Sequence, residues 1–190
     1  MSMQNQNFCK IHSQGKRSMK ELVFTKLPYG LYLISTRLGS EMDACLCNTV
    51  VQITHIPKRI VFSLEKNENV HRLLLENKKA VISILSTRTD EAVLEYFSSE
   101  AEEKTKFRTD SNSYPYALTV DGIPYLMKHA NAYICCQVIS SIDLGTHTLF
   151  IAECTDGDVL HDDSSFLYYH SELFLEKKSS SQPTDVGMTQ

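Results

Sequence analysis

The stretch GLYLISTRLGSEMDACLCNTVVQIT, residues 30–54, holds two strand-like runs from which the fold class can be predicted. Its two ends, residues 30–37 and 44–54, are rich in the β-branched and aromatic side chains that favour strands. A Gly-Ser pair at 39–40 separates them with residues typical of turns. The second run also holds two cysteines, an Asn-Thr pair and a glutamine, so the stretch raises a question of function as well as of fold.

Strand-like runs of this kind recur along the chain. The others are RIVFSLE (59–65), AVISILS (80–86), NAYICCQVISSID (131–143) and HTLFIAECTDGDVL (147–160). They follow one another at short intervals, and the chain shows no regular βαβα alternation. The pattern predicts a mainly β protein, a barrel or sandwich with helices packed outside, rather than a doubly wound parallel sheet.

Two helical patterns interrupt the strands. In NVHRLLLENKK, Asn69 is the expected N-cap of the first helix. Apolar residues at i, i+3 and i+4 follow it and predict one buried stripe, formed by Val70, Leu73 and Leu74. A second helix is expected to open at Thr89, because two acidic residues follow in its first turn.

Charge and hydropathy limit the partners of the chain. Its 190 residues include 19 basic and 23 acidic side chains, which gives a net charge of −4 and a pI of about 6.0. This is the wrong sign for neutralising phosphates along a duplex, so we expect no nucleic-acid partner. No run approaches the ~20 apolar residues of a membrane helix, and residues 1–20 lack an apolar signal core, which predicts a cytoplasmic protein with no membrane contact.

The chain is expected to form one domain over residues 21–175. Both ends are polar, which predicts a mobile N-terminal segment at 1–20 and a disordered C-terminal tail at 176–190. The six cysteines are expected to be reduced thiols that pack like small apolar residues. No C-x-x-C pair accompanies Cys45 and Cys47, so core packing is favoured for Cys45 and no metal site is predicted.

Common catalytic and nucleotide-binding motifs are missing from the sequence. The spacing of the seven glycines allows neither G-x-G-x-x-G nor G-x-x-x-x-G-K-[ST], which excludes these motifs for dinucleotide and phosphate binding. There is also no G-x-S-x-G and no H-E-x-x-H, so hydrolase interpretations lose their main support.

The polar residues of the run at 44–54 need partners. If the run is one strand, Asn48, Gln52 and Thr54 share one face and Thr49 lies on the other. A buried amide or hydroxyl without a partner costs about 1–3 kcal/mol, so these groups predict a polar ligand. For Gln52 and Thr54, hydrogen bonds to neighbouring backbone are an equal alternative.

Five segments form a further pattern through their order and spacing. They are YGLYLISTR (29–37), CNTVVQIT (47–54), SLEKNENVHRLL (63–74), GIPYL (122–126) and GTHTLF (145–150). Together they resemble the flavin reductase-like family of FMN-binding split barrels, most closely its flavoredoxin-type branch. The resemblance covers residues 25–172, nearly the whole expected domain.

The resemblance implies a fold and an assembly. The fold is a six-stranded antiparallel Greek-key split barrel with peripheral helices, and the assembly is a homodimer with one non-covalent FMN per subunit near the interface. Cys47, Asn48 and Thr49 then contact the flavin ring, with Gln52 and Thr54 nearby. A bound flavin would supply the partners that these polar residues need.

The resemblance also implies a phosphate site and a donor site. The FMN phosphate would lie along Ser63 to His71, with Lys66 and His71 as its charged contacts and Lys106 as a further basic contact. His147 matches a histidine near the flavin face where the electron donor docks. A solvated lysine and satisfied core or turn histidines are the alternatives.

Several positions depart from the family pattern. Asp43-Ala44 replaces an Asn-Gly turn, Glu65 replaces an amide, and Val70 stands where a hydroxyl residue often meets the phosphate. The stretch EAEEK (100–104) lacks a Gly-Arg element of the family. Each departure bears on phosphate affinity.

The implied function is that of a flavoprotein oxidoreductase. FMN would pass hydride or electrons from NAD(P)H, or from a redox-partner protein, to an acceptor, and no side chain need act as acid, base or nucleophile. The alternative is a non-enzymatic flavin- or tetrapyrrole-binding module on the same barrel. A purely structural β-domain is the third option.

Overall fold

A computed structural model describes residues 23–24, 26–98, 107 and 115–169. The strands are β1 Pro28–Gly30, β2 Tyr32–Leu38, β3 Glu41–Cys47, β4 Val51–Thr54, β5 Arg59–Glu65, β6 Lys79–Leu85, β7 Tyr116–Leu118, β8 Pro124–Leu126, β9 Ala130–Asp143, β10 His147–Val159 and β11 Leu167–Tyr169. Helices α1 and α2 span Asn69–Asn77 and Glu91–Phe97. Residues Tyr29–Tyr168 form one compact unit, which holds every feature described below.

The main sheet is antiparallel and has seven strands in the order β3-β2-β6-β9-β10-β5-β4. The long β9–β10 hairpin forms its middle, and Gly145 turns it with a positive φ of 88°. Strand β3 lies at one edge of the sheet, yet Cys47 Sγ at its end is 3.5 Å from the Ser63 carbonyl oxygen in β5. The sheet therefore curls until its edges approach, which confirms the predicted split-barrel fold class.

Two apolar clusters fill the unit. The first lies inside the curled sheet, where the Phe62 and Phe150 rings stack with centroids 5.5 Å apart. Helix α1 contributes to the same interior, and its predicted stripe is confirmed because Val70, Leu73 and Leu74 are fully buried. The second cluster lies beneath α2, which buries Val93 and Phe97.

The prediction of one strand over residues 44–54 is wrong. Strand β3 ends at Cys47 and pairs with β2, whereas β4 begins at Val51 and pairs with β5 at the opposite edge of the sheet. The chain must cross between these edges, so residues 48–50 belong to no strand. Strand alternation does not continue through the crossing, and the predicted common face of Asn48 with Gln52 and Thr54 is therefore wrong. The extra short strand β4 also explains why the sheet has seven strands rather than six.

Helix α1 begins one residue earlier than the sequence predicted, and helix α2 begins later. Glu68, rather than Asn69, occupies the N-cap position of α1, because the Asn69 side chain bonds to carboxylates on β3. Asp90, rather than Thr89, precedes α2, because the Thr89 hydroxyl donates to the backbone carbonyl groups of Ser86 and His129.

Three further expectations concern the two chain ends, the cysteines and membrane-spanning helices. The segments at 1–20 and 176–190 lie outside the described residues. The five described cysteines are free thiols. Neither described helix has the length and apolar character needed to cross a membrane.

His71 fastens helix α1 to strand β10. Its ring is 7 % exposed, its Nε2 lies 2.8 Å from Thr148 Oγ1, and its edge packs against the Phe150 ring. Burial lowers the pKa of His71 below its ordinary value, the nearby Lys66 charge lowers the pKa further, and Asp143 partly opposes both effects. His71 is therefore held as a neutral imidazole by the folded chain.

This lowered pKa predicts a pH dependence of stability. Unfolding returns the pKa of His71 to its ordinary value. Below about pH 6.5 the unfolded chain therefore binds a proton at His71 that the folded chain does not bind. The free energy of unfolding, measured with urea, should fall as the pH falls through this value toward the lowered pKa of His71. His71→Gln should flatten that dependence, and the exposed control His55→Gln should keep it. An unchanged pH profile in His71→Gln would contradict this role.

Candidate functional site

A cleft of about 190 Å3 opens where the β3–β4 crossing faces the start of α1. Four parts of the chain line it besides the crossing: the end of β3, the end of β5, the residue before α1 and the start of β10. The lining residues are Cys45, Leu46, Cys47, Asn48, Thr49, Ser63, Leu64, Glu65, Glu68 and His147. These segments are distant in sequence, and the curl of the sheet brings them together.

The backbone of the crossing is the unusual part of the cleft wall. Asn48, Thr49 and Val50 are half-buried. The Thr49 N–H donates to the Cys47 thiol, whereas the N–H groups of Asn48 and Val50 make no hydrogen bond to another described residue. The Asn48 carboxamide likewise has no partner among the described residues, although it lines the cleft. Since nearly all half-buried backbone donors in folded proteins are paired, this wall presents donors suited to an acceptor-rich ligand or to water.

Thr49 joins the crossing to the open edge of β5. Its hydroxyl accepts a hydrogen bond from the Ser63 N–H at 3.2 Å and lies 3.4 Å from the Ser63 carbonyl oxygen. The Cys47 thiol also points to that carbonyl and lies 3.4 Å from Thr49 Oγ1. This arrangement holds the position of the wall without backbone pairing.

Cys47 is a neutral thiol in this setting. Burial raises the pKa of the Cys47 thiol, and hydrogen bonds from Thr49 and Ser63 lower it by less. A buried thiol of this kind is a poor nucleophile and a poor metal ligand. No group of three or more His, Cys, Asp or Glu residues that could hold a metal ion occurs within the described ranges.

Lys66 follows β5 immediately and lies next to the cleft. Its Nζ is 2.7 Å from Asp143 Oδ1, and its N–H donates to the Thr146 carbonyl at 3.0 Å. The hydrogen bond from Lys66 lowers the pKa of Asp143, and the Gly145 N–H lowers it further. Asp143 is therefore a carboxylate across the neutral range.

The first turn of α1 is tied to β3 by charged groups. Asn69 Nδ2 donates to Glu41 Oε1 at 2.9 Å and to Asp43 Oδ2 at 3.1 Å. Arg72 Nη2 donates to both oxygens of Glu41, and the bonds from Asn69 and Arg72 lower the pKa of Glu41. These contacts fix the partly positive N-terminus of the helix beside the cleft.

The structure brings together only some of the residues predicted from sequence. Cys47, Asn48, Thr49, Ser63 and His147 line the cleft. His147 is exposed, its Nδ1 lies 2.9 Å from Thr146 Oγ1, and it stands opposite Glu65 in the β10–β5 register. The predicted contact Lys106 lies outside the described residues.

Gln52 and Thr54 lie elsewhere. Gln52 Nε2 donates to the Thr54 carbonyl at 3.1 Å, and the Thr54 hydroxyl donates to the Pro57 carbonyl. Both side chains thus bond to neighbouring backbone, the alternative left open by the sequence. Gln52 lines a second, separate cleft of about 730 Å3 with His55, Lys58 and Tyr133 among its walls.

Two residues near the cleft were missed by the sequence analysis. Glu68 lines the cleft, and Asp143 pairs with Lys66. The signal for Asp143 was its place before the Leu-Gly turn, where an aspartate commonly accepts a backbone N–H, here from Gly145. Its pairing with Lys66 depends on the β9–β10–β5 register, which no local pattern encodes.

Comparisons with known proteins agree with this fold. A family model described as a flavin reductase-like domain matches residues 24–175. The ferric-chelate reductase (NAD(P)H) of Archaeoglobus fulgidus is 32 % identical over 157 residues, which are 82 % of this chain and 90 % of that protein. The high molecular weight rubredoxin of Moorella thermoacetica is 33 % identical over 147 residues, but these are 76 % of this chain and only 62 % of that longer protein.

A solved structure shows the same fold at lower identity. The NADH:FAD oxidoreductase SgcE6 of Streptomyces globisporus C-1027 superposes with a TM-score of 0.68 at 20 % identity, over 79 % of this chain and 86 % of that one. The family model covers most of the chain, and the Archaeoglobus relative aligns along nearly its whole length. The chain belongs to the flavin reductase-like domain family.

Proposed function

We propose that the protein is an oxidoreductase that holds FMN non-covalently in the cleft at the β3–β4 crossing. The observation that carries this proposal is the crossing at the cleft wall, where the N–H groups of Asn48 and Val50 bond to no other described residue and Asn48 lines the cleft. The edge of an isoalloxazine ring offers carbonyl oxygens and ring nitrogens as acceptors. Such a ring fits the donors that the crossing presents, and the Asn48 carboxamide can add one more hydrogen bond.

The remaining residues of the cleft have distinct roles in this proposal. Cys47, Thr49 and Ser63 hold the wall against which the ring would lie. The ribityl phosphate would extend toward the N-terminus of α1 and toward Lys66, which is paired with Asp143. His71 supports this segment from behind through Thr148, rather than touching the flavin.

The reaction needs little chemistry from the chain itself. A bound flavin would supply hydride and electron transfer, as cofactors of this class do. The chain binds and orients the ring and excludes water from its buried side through the neutral Cys47 wall. His147, exposed at the mouth of the cleft, is placed to meet an incoming donor.

The relatives support a choice of donor and partners. One relative is named as an NAD(P)H-dependent ferric-chelate reductase, which supports NAD(P)H as the donor here. Another is named as a rubredoxin, which supports a redox-partner protein as an alternative donor or acceptor. We place the protein in the cytoplasm, where reduced nicotinamides are available and thiols stay reduced.

The oxidation of NADH or NADPH in the presence of FMN tests the proposed function. The absorbance at 340 nm should fall with turnover, and the rate should saturate with FMN. Tight FMN binding without turnover would instead support the flavin- or tetrapyrrole-binding module. A protein that leaves the FMN spectrum and fluorescence unchanged would contradict the whole proposal and favour a structural domain.

Two amide variants test which polar residues meet the flavin. Asn48→Ala should weaken FMN binding about five- to tenfold, the loss of about one hydrogen bond, as measured by quenching of flavin fluorescence. Its free energy of unfolding should stay the same, because the Asn48 side chain has no partner among the described residues. The matched control is Gln52→Ala, which should leave FMN binding unchanged since Gln52 faces the second cleft. The reverse pattern would contradict the proposed position of the ring.

The outer face of the sheet supports a homodimer. Strands β9, β10, β5 and β4 place five apolar side chains on the side opposite Phe62 and Phe150, namely Ile142, Leu149, Ile151, Val61 and Val51. Val51 and Ile142 are 58 % and 47 % exposed. The same face includes Ser63, which lines the cleft. We propose that a second copy of the chain covers this face, next to the flavin.

A charge on this face tests the homodimer. The native protein should sediment as two 21.6 kDa chains, and Ile142→Glu should shift it to the mass of one chain because a carboxylate is costly to bury in an apolar interface. Val120→Glu is the control, because Val120 is fully exposed in the β7–β8 turn, away from this face. A native protein that sediments as one chain at all concentrations would contradict the dimer.

A further inference from the structure

We propose that Glu65 makes this cleft discriminate against the phosphate of FMN, so that riboflavin binds at least as tightly as FMN. This inference rests on the proposed function, because it assumes that a flavin ring occupies the cleft. It concerns the end of the cleft that faces the ribityl chain.

The lysine that would attract a phosphate is already engaged. Lys66 Nζ lies 2.7 Å from Asp143 Oδ1, and Asp143 is held in place by a second hydrogen bond from the Gly145 N–H at 2.7 Å. A phosphate that recruits Lys66 must therefore compete with a carboxylate that already has a fixed position. The net charge of the pair is zero, so it offers little long-range attraction to an anion.

The other basic side chains of this segment are also compensated. His71 is buried, neutral and bonded to Thr148. Arg72 bonds to both oxygens of Glu41 on β3 and lies 3.7 Å from Glu76 along its own helix. Asn69, the polar residue of the first helical turn, donates to Glu41 and Asp43 rather than toward the cleft.

Glu65 adds negative charge where the phosphate would lie. It is the last residue of β5, it is exposed, and it lines the cleft opposite His147. A phosphate carries nearly two negative charges at pH 7, so it is repelled by Glu65, whereas the uncharged ribityl chain and ring of riboflavin are not.

The cleft therefore binds the flavin ring and repels the phosphate. The donors at the crossing act on the ring, which riboflavin and FMN share. The segment from Glu65 to Arg72 acts on the phosphate, which FMN alone carries.

The test compares the dissociation constants of riboflavin and FMN with the full chain, measured by flavin fluorescence at about 20 mM and about 300 mM salt. At low salt the constant for riboflavin should be equal to or lower than that for FMN. Higher salt should tighten FMN binding by screening the repulsion, and it should leave riboflavin binding unchanged. This part of the test needs no variant.

The variant Glu65→Gln keeps the shape of the side chain and removes its charge. It should tighten FMN binding about fivefold at low salt and change riboflavin binding by less than about twofold. The matched control is Glu91→Gln in the first turn of α2, an exposed glutamate outside the cleft lining, which should change neither constant. The conservative variant separates the charge of Glu65 from any role in folding.

Two results would overturn the inference while leaving the proposed function intact. One is FMN binding at least tenfold tighter than riboflavin in the native chain at low salt. The other is an unchanged ratio of the two constants in Glu65→Gln. A chain that binds neither flavin would overturn the proposed function itself, and this inference with it.

Discussion

Between Cys47 and Val51 the chain passes from one edge of the main sheet to the other, because β3 and β4 are its two edge strands. A segment that bridges the split of a barrel cannot pair with either edge along its length. The Thr49 hydroxyl replaces part of the missing backbone pairing, because it hydrogen-bonds to the Ser63 backbone. The N–H groups of Asn48 and Val50 remain without a partner among the described residues, and the cleft forms at this crossing. The fold thus generates the candidate site as a consequence of its topology.

Much of the fold follows from local sequence patterns. Strands β5, β9 and β10 read directly as β-rich runs, and the 3.6-residue period correctly placed Val70, Leu73 and Leu74 in the core. The end of β3 could not be predicted from local sequence, because ACLCNTVVQIT has the composition of one continuous strand. The run is interrupted because β3 pairs with β2 at one edge of the sheet and β4 pairs with β5 at the other edge.

The candidate site was partly predictable, because some of its residues carry a local sequence signal and others do not. Asn48 and Thr49 stood out as polar residues in an apolar run, and both line the cleft. Gln52 stood out equally but lies beyond the crossing, where β4 turns it toward the second cleft. Asp143 and Glu41, which neutralise Lys66 and Arg72, carry no local signal because their pairing depends on register and on the seating of α1. A resemblance in sequence identified the cations, and only the structure shows what already compensates them.

Amide hydrogen exchange, measured by NMR with and without saturating riboflavin, tests most directly whether the crossing binds the flavin ring. Exchange at Asn48 and Val50 should slow about tenfold or more when flavin binds, because the ring accepts hydrogen bonds from these groups. Amides of the distant turn at residues 55–58 should exchange at the same rate in both states. Flavin binding that leaves exchange at the crossing unchanged would contradict the central claim.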